Sequence, residues 1–437
     1  MARPRTRIPL NVYLNGRLVG RLRRETSGVI DFQYDATWLA WENALPVSLS
    51  LPLREDRYVG DPVIAVFDNL LPDNDEIRRR LAERVRAQGF DAYSLLAAIG
   101  RDCVGALQFL PDGIEPGSAG NIEGRPIDDA EIARIVTDLK RTPLGVTEDD
   151  EFRISLAGAQ EKTALLYWKD RWHLPHGTAA TTHILKPEIG KRPNGLDLSQ
   201  SVENEHLSMR LTAALGLPTA GTEIREFAGR RVLVVERFDR RWTRDGRLLR
   251  LPQEDCCQAL SVSPLRKYES DGGPGLRQVL ALLRASDEPE VDQKLFLKAQ
   301  IVFWLLAATD GHAKNFSIHL LPGGRFRLTP LYDVMSAQPN RDVGQIQKNK
   351  MKLSMAVGRN RHYVVDSIMP RHFVQTAKAC GVSPAVVTGI FDELNATVTA
   401  AIDHVTSALP PGFPEALTRS ITDGVLRRLK FSEHAIP

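Results

Sequence analysis

The sequence predicts an α+β fold in which a small N-terminal module precedes two lobes, the first rich in strands and the second helical. Three observations point there. As far as Val235, short β-branched runs alternate with turn residues, whereas from Gln253 onward apolar segments recur with helical period. A Gly- and Pro-rich stretch, residues 111–125, separates the first part of the chain from the remainder. An apolar run from Ile301 to Leu306 then delivers a polar loop, Ala308-Thr309-Asp310-Gly311-His312-Ala313-Lys314-Asn315, into the middle of the helical part. At 437 residues the chain exceeds one comfortable core, and we divide it into residues 1–110, 111–262 and 263–437.

Taken in order, Leu10, Val12 and Leu14 alternate with polar residues, Asn15-Gly16 suits a two-residue turn, and residues 18–22 return as the second strand of a hairpin. A further strand is expected at residues 30–34. Asp73-Asn74 is a capping signal for a helix with Ile77, Leu81 and Val85 on one face and arginines on the other. Residues 91–99 read as a second helix stopped by Gly100, and residues 104–110 as a closing strand. No catalytic constellation stands out in this first region, which reads as a module for packing or partner binding. Residues 128–140 then form a short amphipathic helix through Ile132, Ile135, Val136 and Leu139.

The first chemistry lies beyond that helix. Residues 152–156 (Phe-Arg-Ile-Ser-Leu) are strand-like and run into Ala157-Gly158-Ala159-Gln160-Glu161-Lys162, where small residues let backbone N–H groups approach phosphate oxygens. The strand resumes at 163–168. Thr182-His183-Ile184-Leu185-Lys186 ends a strand on a lysine, where nucleotide chemistry wants a fixed cation for the α/β-phosphates; a solvated edge-strand lysine is the plainer reading. The helix over 202–215, closed by Gly216, carries Glu205, which is either a partner for Lys186 or an ordinary surface acid. A strand at 231–235 leads to Glu236-Arg237-Phe238, the place for an inter-lobe hinge. Helices are then expected at 253–260, 276–284, 291–308, 371–380, 384–407 and 414–428.

The central loop carries the second chemistry. The apolar helix is expected to end at Asp310-Gly311, Asn315 lies five residues after Asp310, and a hairpin through Pro322-Gly323-Gly324 brings Asp333 back beside Asn315. An acid, an amide five residues on and a second acid are what ATP-dependent phosphoryl transfer requires. One acid orients the acceptor hydroxyl, while the amide and the second acid hold Mg²⁺ on the phosphates. The interval from Asp310 to Asn315 equals that in the protein-kinase catalytic loop. His312 and Lys314 add polar and cationic groups to the same loop. A metal hydrolase built on Asp310, His312 and Asp333 finds no supporting His pair or Cys cluster.

Composition bounds the partners. A formal charge of +3 does not announce a nucleic-acid binder, and the basic clusters (Arg3, Arg5, Arg7; Lys348, Lys350, Lys352; Arg427, Arg428, Lys430) read as solvated faces. Cys103, Cys256, Cys257 and Cys380 form no metal-ligand spacing, so a reducing cytoplasm is expected. No signal peptide is expected, and the 301–308 run is too short to span a bilayer, so no membrane partner is expected.

Seven segments in order resemble the HipA family of serine/threonine kinase toxins from bacterial type II toxin–antitoxin modules. They are Ile-Ser-Leu-Ala-Gly-Ala-Gln-Glu-Lys (154–162), Thr-His-Ile-Leu-Lys (182–186), Val-Glu-Arg-Phe-Asp-Arg-Arg (235–241), Leu-Pro-Gln-Glu-Asp (251–255), Lys-Tyr-Glu-Ser-Asp-Gly-Gly-Pro-Gly (267–275), Ala-Thr-Asp-Gly-His-Ala-Lys-Asn-Phe-Ser (308–317) and Leu-Tyr-Asp-Val (331–334). The resemblance implies a two-lobed, protein-kinase-like domain behind an N-terminal module, with ATP and Mg²⁺ as cofactors. It implies Asp310 as the general base, Asn315 and Asp333 as Mg²⁺ ligands, and Lys186 on the α/β-phosphates. Residues Ala157, Gly158, Ala159, Gln160, Glu161 and Lys162 become the phosphate loop, with Glu236, Arg237 and Phe238 at the adenine, and His312, Ala313, Lys314 and Tyr332 lining the site. Ser155 matches the serine these toxins autophosphorylate, and a phosphate there would repel ATP and push the loop outward.

The resemblance also implies a helix-turn-helix antitoxin, HipB, as partner, and operator DNA reached mainly through the antitoxin complex. It implies an aminoacyl-tRNA synthetase, the glutamyl enzyme in the best-known case, as the protein substrate, with arrest of translation and dormancy as the outcome. The alternative is a catalytically silent co-repressor of the same family. The sequence lacks Gly-x-Gly-x-x-Gly and places its second acid in Tyr-Asp-Val, which bars substrate inference from eukaryotic kinases. The resemblance assigns no role to the basic segment 340–361, and DNA contact there is left open.

Overall fold

The computed structural model describes residues 9–145 and 154–432; the Arg3, Arg5 and Arg7 cluster and Phe152-Arg153 lie outside them. The N-terminal module is an antiparallel five-stranded sheet in the order Tyr58–Val59, Ile30–Tyr34, Arg17–Arg24, Leu10–Leu14, Leu107–Pro111. Asn15 (φ 46°) and Gly16 (φ 82°) make the turn, since a two-residue hairpin loop of this kind needs positive φ at both positions. Leu10, Val12, Phe32 and Phe109 are buried on the sheet, and the module also holds helices Asp61–Asp68, Asp75–Arg84 and Ala92–Ile99, the first and third packed against its strands. The last two helices start as expected, with Asn74 and Asp91 accepting first-turn N–H groups.

The strand-rich lobe is a six-stranded sheet ordered Thr222–Phe227, Arg230–Glu236, His183–Pro187, Thr163–Trp168, Arg171–Pro175, Gly124–Pro126. Helix Ser201–Ala214 packs on it. The strand expected over 152–156 does not appear in its described part. Ile154 makes one isolated bridge to Asp102, and residues 155–162 are irregular. Isolated bridges from Ile154 to Asp102 and from Gly158 to Pro72, with burial of Ser155 and Leu156, hold this stretch in place of a continuous strand.

The helical lobe holds Leu276–Leu283, Pro289–Leu306, Pro370–Ala379, Pro384–Ser407 and Glu415–Ser432 around a small sheet of Gln253–Asp255, Ser317–Leu321 and Arg325–Leu328. The helix expected at 253–260 divides here. Residues 253–255 pair with the 317–321 strand, and only Cys256–Ala259 is helical, started by a capping box between Asp255 and Gln258. The tertiary edge overrode local propensity. The helix expected to end at Gly311 stops at Leu306, with Ala307 in the left-handed region (φ 51°). Gly311 serves packing instead, because a Cβ there would lie 2.4 Å from the Phe303 ring. Helix Pro384–Ser407 has the length and mean hydropathy (1.2) of a membrane span, yet its Val387, Phe391, Leu394 and Val398 pack into the lobe. Arg428 also departs from a solvated face: it is buried, donating to the Leu305 carbonyl at 2.8 Å and to Gln338 at 2.7 Å. All four cysteines are free and buried.

Module and lobes share one continuous apolar core, and ionic contacts reinforce the joint. Asp102 of the module accepts from Arg237 (3.2 Å), Arg240 (2.8 Å) and Arg250 (2.8 Å), while Arg237 also reaches Asp239 at 2.7 Å, all with buried side chains. Burial opposes the charge on Asp102, but the three guanidinium groups outweigh it and hold the acid ionised. A second joint is neutral in character. Glu254 is 1 % exposed, accepts from the Leu49 N–H at 2.8 Å, and leaves its other oxygen without a partner. Burial pushes its pKa up from 4.5 to about 8. The folded state therefore keeps a proton that the unfolded chain has lost between those values, so stability should fall as pH rises from about 4.5 to 8. Urea melts of Glu254→Gln across that window should show a flatter pH dependence than the parent's; an unchanged slope would assign the effect elsewhere.

Candidate active site

Strand His183–Pro187 carries Lys186 into the cleft between the lobes, where its ammonium donates to Glu205 Oε1 (2.7 Å) and Asp333 Oδ1 (2.9 Å). Glu205 is thus not a surface acid but a buried partner on the 201–214 helix. The Asp333 backbone is left-handed (φ 60°), a costly state for a non-Gly residue that the surrounding contacts must hold. Burial works against the Asp333 charge, yet Lys186 and Lys162 prevail and keep its carboxyl well below the usual range. Glu205 moves the other way: burial, aided by Asp333, raises it.

The loop after helix Pro289–Leu306 gathers the other groups. Asn315 donates through Nδ2 to the backbone oxygens of Asp310 (3.0 Å) and Asp333 (3.4 Å), which ties the two acids' chain segments together. Its amide oxygen is left for another ligand. The Asp310 carboxylate, open to the cleft, accepts from Tyr268 Oη at 2.6 Å. Burial raises the Asp310 pKa, with Asp333 and Asp73 adding to the rise and Tyr268 and Lys267 opposing it. Tyr268 stays protonated, as burial and the Asp310 charge both push its pKa up. His312 is buried with Nδ1 unpartnered, and burial lowers it to about 3, so it brings a neutral ring to the loop.

Not every expected residue faces the cleft. Lys314 is 6 % exposed and spends its ammonium on Asn69 O (2.9 Å), Asn69 Oδ1 (2.7 Å) and Asp255 (3.2 Å). It tethers the loop and does not line the nucleotide space. Arg237 turns inward to Asp102 and Asp239, leaving only its backbone at the hinge, while Glu236 is exposed. Phe238 and Tyr332 lie with ring centroids 5.8 Å apart, forming an aromatic wall beside the hinge. Tyr332 also donates to the Lys314 carbonyl at 2.7 Å, and Ala313 is buried behind the loop.

The phosphate loop rests on the N-terminal module. Ser155 is fully buried and donates to Leu70 O at 2.7 Å, the Asp73 N–H donates to Gly158 O at 3.2 Å, and Glu161 pairs with Arg80 at 3.1 Å. Gly158 (φ 101°) occupies a backbone region that disfavours side chains, and a Cβ there would stand 2.7 Å from Lys162 Nζ. Lys162 is buried next to Lys186, and burial followed by that neighbour lowers its pKa to about 8. Two cations thus share the floor on which a polyanion would sit. Gln160 donates to Pro187 O (3.2 Å), while Ala157 and Ala159 are solvent-accessible.

Among the described residues no group of three or more His, Cys, Asp or Glu forms a protein-only metal cage. Mg²⁺ does not ask for one, since it keeps several waters and takes one or two protein oxygens plus phosphates. The free oxygens of Asn315 and Asp333 fit that demand. Sequence reading missed Tyr268, Lys267, Asp73 and Asn69. Tyr268 and Lys267 stand inside a family-like motif that suggests no role for them, and the other two lie in a module that reads as remote from chemistry.

Comparison with known proteins agrees with this fold. The HipA-like C-terminal domain matches residues 154–402 and the HipA N-terminal domain residues 10–110. The Y4mE protein of Sinorhizobium fredii is 39 % identical over 354 residues, 80 % of this chain and 81 % of that one. The serine/threonine-protein kinase toxin HipA of Shewanella oneidensis is 27 % identical over 417 residues, 92 % of this chain and 90 % of its own. A solved complex of Shewanella oneidensis HipA and HipB with operator DNA superposes with a TM-score of 0.81 at 25 % identity, covering 98 % of both chains.

Lys186 compensates two carboxylates at once, so its removal leaves a charge deficit in the cleft. Lys186→Met is expected to lower stability by about 3 kcal/mol in urea unfolding, and adding Glu205→Leu should recover part of that loss. Equal stability of Lys186→Met and the parent would show the cluster to be energetically idle.

Proposed function

The chain belongs to the HipA family, and on that premise we propose that it is an ATP-dependent serine/threonine protein kinase acting as the toxin of a HipBA-type module. The observation that carries the reading is the convergence of Asp310, Asn315, Asp333 and Lys186 on one cleft. ATP would lie with its base beside Phe238 and Tyr332 and its phosphates over Lys162, Lys186 and the 157–162 backbone. Mg²⁺, held by Asn315 and Asp333, would neutralise charge on the phosphates. Asp310 orients the acceptor hydroxyl and takes its proton as the Ser/Thr oxygen bonds to the γ-phosphorus and the bond to the β,γ-bridging oxygen breaks, leaving ADP. Burial and the neighbouring acids raise its pKa, which makes it a better proton acceptor than an ordinary carboxylate.

The protein substrate in this reading is an aminoacyl-tRNA synthetase, by likeness the glutamyl enzyme, whose modification would halt translation and bring on dormancy. A HipB-like helix-turn-helix antitoxin would hold the chain and carry it to operator DNA as a co-repressor; that complex is known for the Shewanella relative by name. Cytoplasmic residence fits the four reduced, buried cysteines. Ser155 would be the self-inactivating site. Because its hydroxyl is sealed against Leu70, the loop must leave its seat on the module before phosphate can be added, and the dianion would then prevent its return.

Asp310→Ala is expected to fold normally, transfer no radiolabel from ATP to itself or to added synthetases, and lose toxicity. Full label and toxicity in that variant would remove the kinase reading. Ser155→Ala should remain active and lose the self-label only. Absence of label from the parent protein, on any target, would favour the silent co-repressor.

A further inference from the structure

The N-terminal module reaches the catalytic loop through Asn69 and through the carboxylate of Asp73. Asp73 has a side chain 8 % exposed; its Oδ2 accepts from Lys267 Nζ at 2.8 Å, and its Oδ1 lies 3.5 Å from Lys314 Nζ with no hydrogen bond of its own. Each lysine precedes a residue that fixes Asp310. Lys267 is followed by Tyr268, whose hydroxyl holds the Asp310 carboxylate, and Lys314 by Asn315, whose amide holds the Asp310 backbone. The Ala313 N–H also donates to the Lys267 carbonyl at 3.4 Å, so the two lysine segments are joined to each other. Asn69, four residues before Asp73, completes the grip on Lys314.

We propose that Asp73 is a positioning residue for phosphoryl transfer, holding Lys267 and Lys314 so that Tyr268 and Asn315 keep Asp310 aimed at the acceptor hydroxyl. The N-terminal module is then part of the catalytic apparatus as well as a surface for partners. Asp73 touches neither nucleotide nor acceptor in this arrangement. Its loss should misplace the acid and leave nucleotide binding, which rests on Lys186 and the phosphate loop, largely intact. Displacements on the order of an ångström at a reacting group lower turnover by about a hundredfold. This inference rests on the kinase reading, and the two fail separately.

The test uses the full chain with MgATP and an acceptor that the parent phosphorylates. Asp73→Asn should lower kcat by about a hundredfold while KM for ATP stays close to the parent's, and Asp73→Glu should recover much of kcat. In a double-mutant cycle, the losses from Asp73→Asn and Tyr268→Phe should combine to less than their product, since both act through one acid. Parent-like kcat in Asp73→Asn, or losses that simply multiply, would overturn the proposal. Should Asp73→Asn not fold, Lys267→Gln asks the same from the other end of the pair, with the same kcat drop expected and parent-like turnover again decisive against it. An Asp310→Ala protein that still transfers phosphate would instead sink the kinase reading itself.

Discussion

One ammonium group governs the cleft. Lys186 is shared between Glu205 on a helix of the strand-rich lobe and Asp333 at the end of the hairpin in the helical lobe. Lys186 and Glu205 are buried while Asp333 is open to solvent, so the shared ammonium ties a helix of one lobe to the hairpin end of the other. It also accounts for a backbone that would otherwise be abandoned. Asp333 sits at φ 60°, and its ion pair together with the Asn315 bond to its carbonyl keeps it there. The acid is thus held charged in a backbone that its contacts fix.

Much of this was legible in the sequence because it is local. Asp310, Asn315 and Asp333 are tied by short spacing and a hairpin, and the strands and long helices stem from period and caps. The illegible part depends on groups distant in sequence. Asp73 meets Lys267 across 194 positions and Asn69 meets Lys314 across 245, and no pattern in either segment advertises the meeting. The same applies where local signals misled. Gln253 to Asp255 had helical neighbours but lay beside an open strand edge, and Arg428 had the company of a basic cluster but found a helix C-terminus to bind. Lys314 and Arg237 were expected to line the site, yet both turn inward, because the direction of a long side chain is decided by where its counter-charge lies.

The segment from Asn69 to Asp73 touches both loops. It seats Ser155 and Gly158 of the phosphate loop on one side and Lys314 of the catalytic loop on the other. A change in how the phosphate loop is seated is therefore felt by a residue that also supports Asp310. Packing of this kind is bistable and not continuously deformable.

The Asp102 cluster has a bearing on how such chains can diversify. Its central acid belongs to the stretch matched by the N-terminal family, whereas Arg237, Arg240 and Arg250 belong to the stretch matched by the C-terminal one. Three guanidinium groups face only two carboxylates, so losing Asp102 would strand cations in an apolar interior. Recombination that exchanged the leading portion between lineages would succeed only where the incoming piece brought an equivalent acid. The gene is therefore expected to be inherited as a unit, its two halves bound by a shared electrostatic debt.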